Sequence, residues 1–122
     1  MYNIKIYETI DGNRPFEKYM QELLVKYKKN EIAKIKVYIQ RLEEYGLDVN
    51  NYHPNTRKKI QSIKEDIHEL RPGNSRIFFF CINGDTFILL HGFTKKAYKT
   101  PKREIDKAIQ EYKDYKRRIH ND

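Results

Sequence analysis

Residues Arg76 to Phe93 read RIFFFCINGDTFILLHGF. Two apolar runs flank Asn83-Gly84, a dipeptide suited to the positive backbone angles of a tight hairpin turn. The first run, Arg76 to Ile82, is apolar at successive rather than alternate positions, which predicts a central strand covered on both faces. The second, Thr86 to Phe93, predicts its antiparallel return. Upstream, Ile67 to Arg71 (IHELR) reads as a short strand, and Pro72-Gly73 as the turn that leads from it into Arg76. Together these segments predict a three-stranded antiparallel meander.

Working outward, Tyr2 to Tyr7 alternates, with Tyr2, Ile4 and Ile6 on one side, and predicts another strand. Asp11-Gly12-Asn13 is a turn, with Asn13 as a helix N-cap ahead of Arg14-Pro15. Phe16, Tyr19, Met20, Leu23, Leu24 and Tyr27 then recur at helical spacing. Lys28-Lys29-Asn30 interrupts the stripe, Ile32, Ile35, Ile39 and Leu42 resume it, and Gly46 ends it. Leu47 to Lys59, with Asn50, Asn51, Pro54 and Asn55, reads as a surface loop. Thr100-Pro101 predicts a last helix with Thr100 as N-cap and Pro101 at the first position. Its apolar stripe is Ile105, Ala108, Ile109, Tyr112 and Ile119. The expected fold is a single compact α+β domain over residues 1–122. Its order is strand–helix–helix–meander–helix, and the helical hairpin covers one sheet face.

A chain of 122 residues suits one core. Its ten Tyr and six Phe argue against disorder despite the many charges. The longest apolar run, Ile77 to Ile82, is far too short to span a bilayer, and MYNIKIYETIDG lacks the apolar stretch of a secretory signal. The lone Cys81 lies in that apolar run with no intrachain partner for a disulfide. We therefore expect a cytoplasmic protein with no membrane partner. The 25 Lys and Arg against 17 Asp and Glu give a net charge of +8, which favours a polyanionic partner.

The charge collects where the last strand ends. In LLHGFTKKAYKTP, Leu89 to Pro101, an apolar strand opens directly onto Lys95, Lys96 and Lys99, with Tyr98 among them. Lys102 and Arg103 follow in the first helical turn, where cations oppose the helix dipole. A basic loop beside a helix start can receive phosphate, and Tyr98 offers a surface for base stacking. The plainer reading is a set of solvated lysines. Arg71 and Arg76 flank the turn at the same end of the sheet, so Arg76 should approach Lys95 and Lys96. It could grip two phosphate oxygens, or simply pair with Glu69 or Asp66. His91 alternates with Leu89 and Phe93, and His68 shares a side with Leu70. Both read as hydrogen-bonded core histidines. No His, Cys, Asp or Glu grouping has metal-ligand spacing, and no phosphate-cradling glycine loop or nucleophile elbow is present. Neither metal nor cofactor is expected.

The segment IHELRPGNSRIFFFCINGDTFILLHGFTKKAYKTPKREIDKAIQEYKDYKRR, Ile67 to Arg118, resembles the phage-derived, HigB-like branch of the RelE/ParE toxin superfamily. The likeness rests on Glu69-Leu70-Arg71, on Arg76 opening the next strand, on Leu90 to Pro101, and on the basic helix Glu104 to Arg118. The N-terminal strand and helical hairpin fit the same RelE-like fold. The resemblance implies a type II toxin–antitoxin toxin that cuts mRNA on the ribosome without a metal. It also implies a cognate antitoxin, commonly with a helix-turn-helix domain. By position, Arg76, Lys95, Lys96 and Tyr98 match catalytic positions. We add Arg71, Lys99, Lys102 and Arg103 as RNA-binding candidates. The His/Asp-rich C-terminal site of some relatives is absent, so the acid and the base are not assigned by likeness.

Metal-free RNA cleavage proceeds by attack of the 2′-OH on the adjacent phosphate. It needs a base, an acid, and cations for the charge that develops on phosphorus. Arg76 with Lys95 or Lys96 would supply the cations. A lysine crowded by other cations is one candidate base, and Tyr98 could stack or donate a proton. Two rivals share the sequence features: a ParE-like inhibitor of DNA gyrase, and a non-catalytic RNA- or ribosome-binding module.

Overall fold

The structure is a computed structural model, and it describes residues 1–120. In chain order the elements are β1 (Asn3–Ile6), α1 (Pro15–Val25), α2 (Lys29–Tyr45), a short 3-10 turn (Gly46–Asn51), β2 (Arg57–Lys59), β3 (His68–Leu70), β4 (Ser75–Ile82), β5 (Thr86–Thr94) and α3 (Lys102–His120). The five strands form one sheet in the order β1-β5-β4-β3-β2. β1 runs parallel to β5, and the other pairs are antiparallel. The fold is the expected α+β type. Among the described residues no helix is long and apolar enough to cross a membrane.

β4 is the centre of the molecule because both of its faces are apolar. Ile77 and Phe79 point toward the α1–α2 hairpin, where they join Phe16, Tyr19, Leu23, Ile35 and Leu42. Phe78 and Phe80 point the other way, to Ile88, Leu90 and Ala108 under α3. All four β4 side chains are buried. Each such side chain contributes about 1.5–3 kcal/mol by leaving water. Asn83 and Gly84 take φ of 56° and 74°, so the hairpin between β4 and β5 forms where the sequence places it. Gly46 ends α2 at φ 61°, again as expected.

Four expectations are corrected. The stretch read as a loop, Leu47 to Lys59, holds both the 3-10 turn and the edge strand β2, which pairs with β3. Arg57-Lys58-Lys59 has no apolar alternation to announce it. The Asn50 side chain fixes its start instead, bonding both the N–H and the carbonyl of Arg57. The helix caps also move. Arg14, not Asn13, precedes α1, and it makes no side-chain cap. In α3 the carbonyl of Pro101 accepts the first helical N–H bonds, from Glu104 and Ile105. The Thr100 hydroxyl is drawn away to Glu69, at 3.1 Å. Ile119 lies outside the apolar stripe, half exposed, while Tyr115 packs in it.

The fourth correction concerns His91. Gly92 pairs with Ile77 and Leu89 with Phe79, so Leu90 and His91 together oppose Phe78. This β-bulge breaks the alternation of β5. His91 therefore leaves the face of Leu89 and turns toward α3, with its ring centroid 5.1 Å from that of Phe78. His68 keeps the place expected for it, buried and stacked on Phe79.

Candidate active site

The segment after β5 crosses the end of the sheet. Thr94 pairs with Ser75, and the Lys95 N–H donates to Asn74 O at 2.6 Å. Five residues later Thr100 binds Glu69 on β3, one strand further over. Lys95 to Lys99 thus arches over the start of β4, where Arg76 lies. Tyr98 stands out from the arch, 92 % exposed, with Lys95 Nζ 5.7 Å from its ring centroid. Lys96, Lys99, Lys102 and Arg103 are exposed, and Lys102 pairs with Asp106.

Arg76 is buried beneath the arch. Its Nη1 donates to the carbonyls of Gly73 and Ser75, at 2.9 and 2.8 Å. Burial, and then the nearby Arg71 guanidinium, pull it below the ordinary arginine value. Of the two arginines it is Arg71 that faces Glu69, with Nε 3.8 Å from Oε1. That is too long for a hydrogen bond, and Arg71 Nε is buried without a hydrogen-bond partner among the described residues. The opposite side of the same turn is held by Glu31, which accepts from the Asn74 N–H at 2.9 Å and the Ser75 hydroxyl at 3.2 Å. The turn is therefore fixed from both faces of the sheet.

On the far side of the arch lies a cleft of about 550 Å³. It opens because β1 stops early. β1 accompanies β5 only as far as Leu89, so among the described residues the outer edge of Gly92 to Thr94 has no strand partner. α1 forms one wall and the start of α3 the other. Five cations line it: Lys18 from α1 and Lys26 at its C-terminal cap, Lys96 from the arch, Arg103 and Lys107 from α3. Two carboxylates, Glu22 and Glu104, oppose them. Tyr19 closes the floor, its hydroxyl 2.7 Å from Ser75 Oγ and 2.9 Å from Thr94 Oγ1. The floor needs Gly92, because a Cβ there would stand 2.6 Å from both Ile77 and the Tyr19 ring.

His91 also reaches this cleft, although it is only 2 % exposed. Its Nε2 lies 3.1 Å from Glu104 Oε1 and its Nδ1 2.6 Å from Glu111 Oε1. Both carboxylates come from α3, seven residues and two turns apart, and so from one helix face. A neutral imidazole can donate to only one of them.

The predicted residues thus fall into three groups. Lys96 and Arg103 share the cleft. Arg71 and Arg76 are gathered with Glu69 under the arch. Lys95, Tyr98, Lys99 and Lys102 lie along the arch and its exit. Sequence reading did not find Lys18, Lys26, Lys107, Glu104 or Glu111. The α1 lysines carry no local signal, since only tertiary packing brings them to β5. The seven-residue spacing of Glu104 and Glu111 was a signal, but only a bulge that turns His91 toward α3 gives it meaning.

Residues 22–113 match the family model of the phage-derived Gp49-like proteins (DUF891). No curated protein matches the chain. The family match runs from within α1 to the middle of α3, so it includes β2 to β5, the arch and both glutamates that hold His91. The chain belongs to the phage-derived Gp49-like family, within the RelE/HigB-like toxin superfamily, which is consistent with a toxin of a toxin–antitoxin system and implies a cognate antitoxin.

Proposed function

We propose that this protein is a HigB-like toxin of a type II toxin–antitoxin system, a metal-independent endoribonuclease that cuts mRNA on the ribosome. The observation that carries the reading is the cationic cleft at the end of β5, bordered by a basic arch with an exposed tyrosine. A single RNA strand carries closely spaced phosphates and bases with accessible faces. Cations on two walls match the first, and a projecting ring matches the second.

In this reading Lys96 and Arg103 hold phosphate in the cleft, and Lys95 adds positive charge at its rim. Tyr98 stacks on a base. Lys99 and Lys102 extend the contact along the backbone. Arg76 and Arg71 act from beneath, by their field and by keeping the turn rigid. The 2′-oxygen attacks the neighbouring phosphorus and the 5′-oxygen leaves, so the products carry a 2′,3′-cyclic phosphate and a 5′-hydroxyl. A shallow site gains most from RNA already splayed and positioned, and the ribosomal A site supplies such positioning. The antitoxin, with a helix-turn-helix domain, neutralises the activity.

The test is to add the protein to a translating extract and to naked RNA of the same sequence, each with and without EDTA, and to sequence the RNA ends. Cleavage in the translating extract, unaffected by EDTA and leaving 5′-hydroxyl ends, is the expected result. Products with 3′-hydroxyl ends would refute the mechanism. Intact mRNA with loss of DNA supercoiling would point to gyrase instead.

A further inference from the structure

His91 is an expensive residue to bury. It sits on a bulge in β5, walled by Phe78, with a carboxylate on each ring nitrogen. An apolar side chain of the same volume would stabilise the contact with α3 at least as well. Polar groups that converge on a cleft mark it as a candidate binding or catalytic site. The three members differ in access. His91 is sealed, the Glu111 side chain is 8 % exposed, and the Glu104 side chain is 19 % exposed. Only Glu104 both belongs to the buried cluster and presents a carboxylate to the cationic cleft. His91 holds its Oε1, while Oε2 lies 3.9 Å from Arg103 Nε, too far for a hydrogen bond, and accepts none among the described residues.

We propose that Glu104 is the general base of RNA cleavage, with His91 as its positioning residue and Glu111 fixing His91 from behind. The proposal rests on the ribonuclease reading and supplies the base that the family likeness leaves unassigned. The other carboxylate lining the cleft, Glu22, has no orienting side-chain partner among the described residues. Glu104 instead stands on a folded helix, held by a ring that is itself clamped. That is the arrangement in which a base is aligned by a group behind it. In the step, Glu104 takes the proton from the 2′-OH as the 2′-oxygen bonds to phosphorus. The bond from phosphorus to the 5′-oxygen breaks, and the Lys96 ammonium gives that oxygen a proton. Glu104 and Lys96 then return to their starting states by exchange with water. The other charges that face Glu104 are Arg103 and Lys107 on its own helix, His91 from β5, and Lys18, Glu22 and Lys26 across the cleft.

Programmed ribosomes carrying a defined mRNA test this. Glu104→Gln keeps the size and an acceptor oxygen for His91 but cannot take a proton. It should lower the cleavage rate at least ~100-fold in a protein that still folds and still binds RNA. His91→Gln should lower kcat of the folded protein with KM unchanged, whereas a merely structural role would lower Tm and leave kcat of the folded protein as it was. Folded Glu104→Gln with undiminished cleavage would overturn the proposal. The pH–rate profile of the unmodified protein needs no variant. Cleavage rates are compared from about pH 6 to 8. A tenfold rise per pH unit through that range, as a lysine base would give, would overturn the proposal. If the unmodified protein leaves ribosome-bound mRNA intact, the ribonuclease reading itself falls, and with it any role for a base.

Discussion

The Arg76 guanidinium donates to two carbonyls of its own turn, those of Gly73 and Ser75. Alanine at this position would strand both acceptors in a buried site. Hydrogen bonds from a charged donor contribute about 1.5–3 kcal/mol, so Arg76→Ala should cost about 2 kcal/mol of folding stability. A urea denaturation midpoint measures it, and an unchanged midpoint would show that the turn does not depend on the arginine. Toxicity should fall as well, because the arch rests on this turn through the Lys95–Asn74 backbone bond. Lysine is a partial substitute, since it keeps the charge but loses the planar fork. The sequence made Arg76 legible as a cation at the right end of the sheet. Its burial was not legible, because that depends on where the next ten residues of chain travel after β5. The reverse holds for His91. The residue was read as a core histidine, and it is one, yet its partners lie 13 and 20 residues away on a helix whose face the sequence does not orient.

Among elements, α3 is the least conventional in how it is held. Its N-terminal half docks through the His91 cluster and its middle through Ala108 and Tyr112. Its C-terminal half docks through the Tyr7 hydroxyl, which donates to Asp114 Oδ2 at 2.5 Å. Arg118 binds both Asp114 and the Glu8 carbonyl. The pair titrates in opposite directions. The hydrogen bond from Tyr7 pulls the Asp114 carboxyl below the ordinary range, against its partial burial and with help from Arg118. Burial first, then Asp114, pushes the Tyr7 hydroxyl up to about 12. The Asp114 contribution is thus complete above the unfolded value near 4 and is lost as pH falls through the lower folded value. The Tyr7 contribution is complete below about 10 and is lost as pH rises through about 12. Denaturation midpoints measured from acid to alkali should fall at both ends, and Tyr7→Phe should flatten both limbs. Identical profiles would show that the pair does not hold the helix. Such a contact, across 107 residues of sequence, leaves no local mark. The strands and helices themselves were readable because β4, β5 and the helical hairpin carry their periodicity in apolar side chains. β2 was not, because its three residues are all cations and its pairing comes from Asn50 and from β3.

At the scale of the whole molecule the question is whether the net charge of +8 acts as a diffuse field or as a site. A diffuse field attracts any polyanion weakly. A site engages a countable number of phosphates and releases as many counterions. On the proposed reading the cleft sets a minimum count, since five cations line it, from α1 and its C-cap, the arch and α3. Each neutralised phosphate of a single strand changes the slope of log K against log salt by about −0.7, so the five cleft cations alone give a slope of about −3.5, and contacts along the arch make it steeper. Titration of a short single-stranded RNA at several salt concentrations should return a slope at least that steep. Lys96→Ala and Arg103→Ala should each reduce the slope by about one phosphate. A substitution at Lys64, which does not line the cleft, should leave it unchanged. Lysines scattered over a surface would behave otherwise, with every substitution costing a similar small amount. A slope near zero would mean that stacking on Tyr98 and apolar contact carry the binding, with the cations left to hydration. An antitoxin that neutralises the protein by filling this cleft should compete with the RNA and show a comparable loss of affinity with salt. One that binds without displacing the RNA would place its contacts elsewhere, on the helical hairpin or the α3 surface, and would have to inhibit by blocking access to the ribosome.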